Sequence, residues 1–295
     1  MRTIAIATHK GGTGKTVSAM AIAAAFARDG IATVLVDLDP QGHSTLGLGV
    51  EIAPGQPTLR DLIVEPPRPL HEILVATAIA APPATPTYDH GRGDGPLTPC
   101  AICQRVATRP PLRVLPADLT AERDAQLLAI RLNRERVLRK ALARLQPAPE
   151  IVVIDCPPSL GPLTENGIAA ADLVLAPCQM EARSYSAVGD LLQLIAAVKQ
   201  PSDDDPPFEN WRIVYTRYDA RKSATNRMIT AALEAYADHT LTTRIPQSEA
   251  LNQAQIDQVD VFTYAPASKG AAAYLELARE LRPLLELPAA AEAWS

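Results

Sequence analysis

The sequence predicts an α/β fold, a doubly wound, mostly parallel sheet with helices on both faces. Three observations carry that expectation. Apolar runs of strand length alternate with helical runs along almost the whole chain, the order that builds parallel sheets. The runs Ala32–Val36 and Ile151–Ile154 are apolar at nearly every position, as in strands buried on both faces. The turns that leave these strands carry glycines or carboxylates, at the end of the sheet where open α/β folds keep their ligand crevice.

Residues 2–8 are expected as the first strand and Lys15–Arg28 as an Ala-rich first helix, closed by Asp29-Gly30. Between them lies His9-Lys10-Gly11-Gly12-Thr13-Gly14-Lys15-Thr16. Strand, glycine-rich loop and helix form the context that a phosphate-binding loop needs. The glycines let backbone N–H groups turn toward an anion, and the helix N-terminus adds its positive end. Lys15 is placed to reach the β- and γ-phosphates and the Thr16 hydroxyl to bind Mg²⁺. The common form of the motif has a glycine where His9 stands, and here a second lysine, Lys10, opens the loop.

The second strand, Ala32–Asp37, runs into Asp37-Leu38-Asp39-Pro40-Gln41-Gly42. A carboxylate at that place can orient a water beside a γ-phosphate or reach Mg²⁺ through one. Thr58–Val64 reads as a short helix with Thr58 as N-cap, and Leu70–Ala78 as another. Ala80–Pro111 is proline-rich with little apolar periodicity and reads as a surface excursion. It holds Cys100-Ala101-Ile102-Cys103, with His90 upstream. Zinc binding through Cys100 and Cys103, a redox pair, and an incidental pair in a loop all stay open there. Leu112–Leu115 resumes a strand and Ala121–Leu145 carries a broad apolar helical face, ended by Pro147 and Pro149.

Ile151–Asp155 is a further buried strand ending in an acid, followed by the rigid turn Cys156-Pro157-Pro158-Ser159-Leu160-Gly161. A second acidic strand end supplies the Mg²⁺-directed aspartate of a phosphate-loop NTPase. Cys156 and Cys178 read as small buried residues. Strand Asp172–Pro177, helix Tyr185–Lys199 and strand Trp211–Thr216 follow. Arg217, Arg221, Lys222 and Arg227 then cluster around a single acid, Asp219. Helix Arg221–Ala237, strand Thr240–Ile245, helix Glu249–Gln258 and helix Lys269–Glu286 complete the chain.

At 295 residues the chain is long enough for a sizeable core, and its net charge of −5 gives no global basic field for nucleic acid. A local patch has to supply that. No apolar stretch approaches the ~20 residues that span a bilayer. The first strand begins at once, so no signal peptide is expected, and four cysteines are too few for a disulfide framework. Together these point to a cytoplasmic protein.

Several motifs together resemble the ParA/MinD family of ATPases with a deviant Walker A loop. Lys10-Gly11-Gly12-Thr13-Gly14-Lys15-Thr16 is similar to that loop. Asp37-Leu38-Asp39-Pro40-Gln41-Gly42-His43-Ser44-Thr45 resembles the ParA switch I segment, and Ile154-Asp155-Cys156-Pro157-Pro158-Ser159 the Walker B and switch II stretch. Tyr264–Ala271 is similar to the segment before the last ParA helix. The resemblance covers about residues 1–78 and 112–287. It implies a single ATPase domain over residues 1–288, with a Pro/Gly-rich insertion at about 80–111 and a short tail at 289–295.

What the resemblance further implies is a switch driven by ATP and Mg²⁺. Two subunits sandwich two ATP molecules, and Lys10 crosses to the phosphates of the other subunit. Nucleotide contacts are implied at Lys10, Gly11, Gly12, Thr13, Gly14, Lys15, Thr16 and Val17, and at Pro246 and Gln247. Lys10, Lys15 and Asp39 are the implied catalytic residues, Asp39 as the group that positions water. Thr16, Asp37 and Asp155 are the implied Mg²⁺ shell, partly through water. Intrinsic hydrolysis is expected to be slow and accelerated by a ParB-like partner.

Members of this family differ in what the ATP dimer binds. ParA dimers bind DNA without sequence preference, whereas MinD dimers use a basic amphipathic C-terminal helix on membranes. Here the last helix has mixed charge, is expected to be broken by Pro283, and is followed by a tail without lysine or arginine, so no membrane partner is expected. The cluster Arg217, Arg221, Lys222 and Arg227 matches the place of DNA-contacting arginines in ParA proteins, with Arg221 the closest match. The expectation is a nucleoid-associated partition or positioning ATPase. One departure bears on it: relatives read Arg-Asn-Val-Arg after Ile245-Pro246, and this chain reads Gln247-Ser248-Glu249-Ala250. The alternatives are a MinD-like membrane-cycling regulator, or a metallochaperone-type regulator using Cys100 and Cys103.

Overall fold

The computed structural model describes residues 1–63, 68–77, 79, 112–117, 128, 134–181, 184–200, 202 and 204–288. Cys100, Cys103 and His90, residues 121–127 and 129–133 of the expected helix Ala121–Leu145 and the tail beyond residue 288 lie outside the described residues.

The strands are β1 (Arg2–Ile6), β2 (Thr33–Asp37), β3 (Val75–Ala76), β4 (Arg113–Leu115), β5 (Ile151–Asp155), β6 (Leu173–Gln179), β7 (Trp211–Tyr218) and β8 (Thr240–Pro246). They form one sheet in the order β3-β4-β2-β5-β1-β6-β7-β8. All pairings are parallel except β3 with β4. The doubly wound, mostly parallel sheet is therefore what the alternation of elements anticipates. Strand β1 lies at its centre, between β5 on the β2 side and β6 on the β7 side. The chain builds outward from β1 in both directions, so the C-terminal end of β1 is the topological switch point where the crevice opens.

The described helices are α1 (Lys15–Arg28), α2 (His43–Gly47), α3 (Leu59–Ile63), α4 (Leu70–Ile73), α5 (Val137–Leu142), α6 (Pro162–Ala170), α7 (Ser184–Lys199), α8 (Ser223–Ala232), α9 (Glu249–Ile256), α10 (Val261–Tyr264) and α11 (Lys269–Leu284). Successive residues of each strand point to opposite faces, and the core divides accordingly. Ile4, Ile6, Leu35, Val153 and Leu175 pack with α1, α10 and α11 on one face. Ala5, Ala7, Val34, Val36, Val152, Ile154 and Val174 pack with α3, α5, α6 and α7 on the other. Helix α1 is buried almost all round, from Ser18 to Ala27. Its run of alanines lets it sit close to the sheet and to α11 at once. Ser18 and Tyr274 of α11 share a buried hydrogen bond of 2.9 Å across that contact.

Thr58 caps α3 as expected: it accepts from Arg60 N while its own N–H donates to Asp61. Three features differ from the sequence reading. Helix α4 ends at Ile73, because Val75 and Ala76 pair with β4 as a short antiparallel edge strand. The helix expected from Arg221 begins at Ser223 and gives way to a 3₁₀ segment, Glu234–His239. Pro283 does not break α11; it sits in the last turn, one residue before the helix ends at Leu284. At that place its ring meets little further helix.

Candidate nucleotide site

Gly12 and Gly14 hold φ of 75° and 88°, the left-handed region where a side chain is strained. The loop they shape leaves β1 and enters α1 directly, with Gly14 as the N-terminal cap residue and no side chain filling the N–H cradle. The carbonyls of the loop are tied from behind. Thr216 Oγ1 on β7 donates to Thr13 O at 2.7 Å, and Thr13 Oγ1 donates to Lys10 O at 3.3 Å. Lys15 Nζ also donates to Lys10 O, at 3.1 Å, so the ammonium lies across the mouth of the loop. With its carbonyls occupied, the loop presents N–H groups and one buried cation.

Parallel register places the acids. Asp37 pairs with Asp155 across β2 and β5, and Ile6 of β1 stands opposite Asp155 on the other side. Both carboxyls are completely buried beside the start of the loop. Asp37 uses both oxygens on its own chain. It accepts from Thr45 N at 2.8 Å, from Thr45 Oγ1 at 2.7 Å and from Asp39 N at 3.1 Å, clamping the turn that carries Asp39 onto β2. Asp155, in contrast, has no hydrogen-bond partner within normal geometry on either carboxylate oxygen. Burial raises its pKa well above the usual carboxylate value, and the neighbouring Asp37 raises it further. Burial raises Asp37 too, against the pull of its Thr45 hydrogen bonds. Burial lowers Lys15, opposed first by the charge of Asp155. An orphaned buried carboxylate beside a loop hydroxyl, Thr16, fits a hard cation with oxygen ligands. Among the described residues no group of three His, Cys, Asp or Glu could hold a metal alone. A cation here needs ligands brought in with it, as Mg²⁺ arrives with phosphates.

A cavity of about 460 Å³ opens over the loop. Gly11, Gly12, Gly14, Lys15, Thr16, Val17, Asp39, Pro246 and Gln247 line it, so most of the expected nucleotide contacts converge. Asp39 is buried, and one of its oxygens accepts from Gln41 N at 3.0 Å. Thr13, Asp37 and Asp155 support the site from beneath. Lys10 leaves it. Its Nζ reaches Glu181 Oε2 at 3.1 Å and Ser184 Oγ at 3.0 Å, at the junction of β6 and α7.

The basic cluster is not brought together as one patch. The β7–β8 ladder shifts register between Tyr215 and Tyr218, and Arg217 takes φ of 50° at that irregularity. Arg217 thereby lines the nucleotide cavity, as do Asn252 and Gln255 of α9. Spacing of three on an amphipathic helix is the signal for the last two, whereas a bulge leaves no mark in sequence. Arg221 is fully exposed but gripped by Asp219, with two hydrogen bonds of 2.9 Å. Lys222 and Arg227 are exposed on α8.

Residues 4–261 match the model of the CobQ/CobB/MinD/ParA nucleotide-binding domain. The chain belongs to that family. It is 30% identical over 278 residues to the sporulation initiation inhibitor protein Soj of Bacillus subtilis, covering 94% of this chain and 97% of that protein. It is 32% identical over 282 residues to the chromosome partitioning protein ParA of Myxococcus xanthus, covering 95% and 87%. Among solved structures it is similar to a protein from Mycobacterium smegmatis described as cobyrinic acid a,c-diamide synthase with bound ADP and magnesium. That likeness has a TM-score of 0.70 and 28% identity over 96% of this chain and 94% of the other. The expected cofactors, ATP and Mg²⁺, are those of this ParA-like family and fit the loop and the orphaned Asp155.

Proposed function

We propose that this ParA-like protein is a partition or positioning ATPase: ATP drives two copies into a sandwich dimer, the dimer binds DNA without sequence preference, and hydrolysis stimulated by a ParB-like partner releases it. The observation that carries the reading is the path of Lys10, which turns away from its own loop to Glu181 and Ser184. A cation anchored at the edge of the cavity is available to phosphates held by a second copy. Two relatives that match most of this chain are described by their roles in sporulation and chromosome partitioning, which supports a partition role. The basic residues on the turn and helix after β7 support DNA as the ligand.

In this reading the loop N–H groups and Lys15 hold the phosphates. Thr16 and Asp155 take the Mg²⁺, with Asp37 holding the turn beside them. When bound, the metal neutralises charge on the phosphate oxygens. Asp39 lines the cavity with one oxygen committed to Gln41, and that fixed carboxylate orients the attacking water. Lys10 from the second copy adds positive charge where it develops in the transition state. ATP is thus both substrate and dimerisation signal.

The test is retention of random-sequence duplex on a filter, with ATP, ADP or no nucleotide, alongside the solution mass in each state. Retention and a doubled mass with ATP alone are expected. Equal retention in all three states would overturn the reading.

A further inference from the structure

Arg221 is the residue of the basic cluster that a ParA comparison singles out, and one edge of its guanidinium is already paired. Asp219 grips it through Nε and Nη2, and the same carboxylate accepts the backbone N–H of Arg221 at 3.1 Å. Arg217 has turned into the nucleotide cavity. On β8, three residues before the stretch without a basic residue that begins at Gln247, stands another cation. Arg244 lies over the ring of Tyr218, 4.9 Å from its centroid, and donates from Nη1 to Tyr218 Oη at 3.0 Å. The side chain is exposed, and no ion pair to a described residue holds it. Tyr218 and Arg244 line a cavity of about 590 Å³ with Ser223, Arg227, Thr230 and Glu234.

We propose that Arg244, held against Tyr218, with Arg227 lining the same cavity, is the main seat for a backbone phosphate of duplex DNA in this protein. A guanidinium held against an aromatic ring and bonded to its hydroxyl loses little freedom on binding and offers its remaining N–H groups to a phosphate. The Ser223 and Thr230 hydroxyls in the lining supply neutral donors, the usual company of backbone contacts. Phosphate contacts of this kind carry no sequence information, which matches a non-specific binder.

The inference rests on the DNA-binding reading, and the experiment separates the two. Anisotropy of a labelled random duplex is titrated with protein in Mg²⁺ and ATP at several salt concentrations, for the wild type, Arg244→Gln, Arg244→Lys and Arg221→Gln. The rise in Tm with ATP serves as the folding control for each. Arg244→Gln should weaken binding about tenfold, the size of one lost charge-assisted hydrogen bond, and lower the salt slope by about one per protomer. Arg244→Lys should keep the slope and lose affinity, since it keeps the charge without the stacked fork. Arg221→Gln should weaken binding less than Arg244→Gln does. A wild-type protein that ignores DNA would remove the underlying function. DNA binding that survives in Arg244→Gln and is lost in Arg221→Gln, or an Arg244→Lys variant equal to wild type, would overturn this seat alone.

Discussion

Asp155 shows what the site lacks by itself. It is a carboxyl with no hydrogen-bond partner, next to a second buried carboxyl, and its pKa is well above the ordinary 3.8 because burial disfavours the charged form and Asp37 repels a second charge. A carboxyl raised in the folded protein holds its proton more firmly than the unfolded chain does. Its contribution to stability is therefore present below the ordinary carboxylate pKa and is lost as pH climbs through the raised folded value. Magnesium arriving with nucleotide would replace that proton by a cation, so the gain in Tm from Mg²⁺ and ATP should widen as pH climbs above the ordinary carboxylate value toward the raised one. A gain independent of pH would mean that the pair gives up no proton on binding. The same argument fixes the sign for Asp155→Asn. An amide cannot ionise, so the cost of forming a buried carboxylate disappears and the ligand-free protein should gain about 1 kcal/mol above the ordinary carboxylate range, and the Mg²⁺-dependent part of the Tm gain should vanish. A fall in the ligand-free Tm would show that Asp155 is held by contacts the fold needs. Both acids are legible in the sequence as ends of apolar strands. Their different duties are not, because those follow from Thr45 returning to clamp Asp37, while Asp155 is left with only Thr16 and Lys15 beside it to favour its charge.

Among the elements, α1 is readable to the residue, since a glycine loop, an alanine run and a capping glycine bracket it. Helix α6 is less transparent. It follows the rigid turn after Asp155, and Gly167 lets it sit down on that turn. A Cβ at Gly167 would lie 2.6 Å from Cys156 Sγ, 3.3 Å from Leu38 and 3.4 Å from Ile154. Leu38 belongs to the turn after β2 and Cys156 to the turn after β5, so one glycine fixes the distance of α6 from both acidic strand ends. Gly167→Ala should cost about 1–3 kcal/mol through overpacking, read as a fall in the urea midpoint at constant slope. Cys156→Ala in the same chain should recover most of that loss. If the double variant is as unstable as the sum of the two singles, the clash with sulfur is not the cause. A glycine inside an otherwise ordinary helical run announces none of this, because its partner lies eleven residues upstream in the chain. The bulge that sends Arg217 into the cavity is hidden in the same way, since its cause is the pairing of β7 with β8.

At the scale of the molecule, the sheet order decides where each charge can act. With β1 central, the loop after it is flanked by the acids of β2 and β5 on one side and by the ends of β6 and β7 on the other. The two acids therefore gather toward the β2–β5 side, and Lys10 leans the opposite way, to the end of β6 and the start of α7. The resemblance already gave Lys10 and Lys15 different tasks, and the fold sends their side chains along different paths. Lys15 is buried and bonded to the loop itself, whereas Lys10 is partly exposed and held by an exposed glutamate that water competes for. That weak hold makes the Lys10 variant a clean probe of the dimer. Lys10→Ala should leave the protein folded and still raised in Tm by Mg²⁺ and ATP, because Lys15, Thr16 and the loop N–H groups remain. In sedimentation it should stay a monomer with ATP, and its turnover should fall to background, since the missing cation belongs to the other half of a shared site. Lys15→Ala should instead abolish the ATP-dependent rise in Tm. A Lys10→Ala protein that hydrolyses ATP at the wild-type rate as a monomer would place the whole reaction within one chain and take ATP-driven dimerisation out of the mechanism.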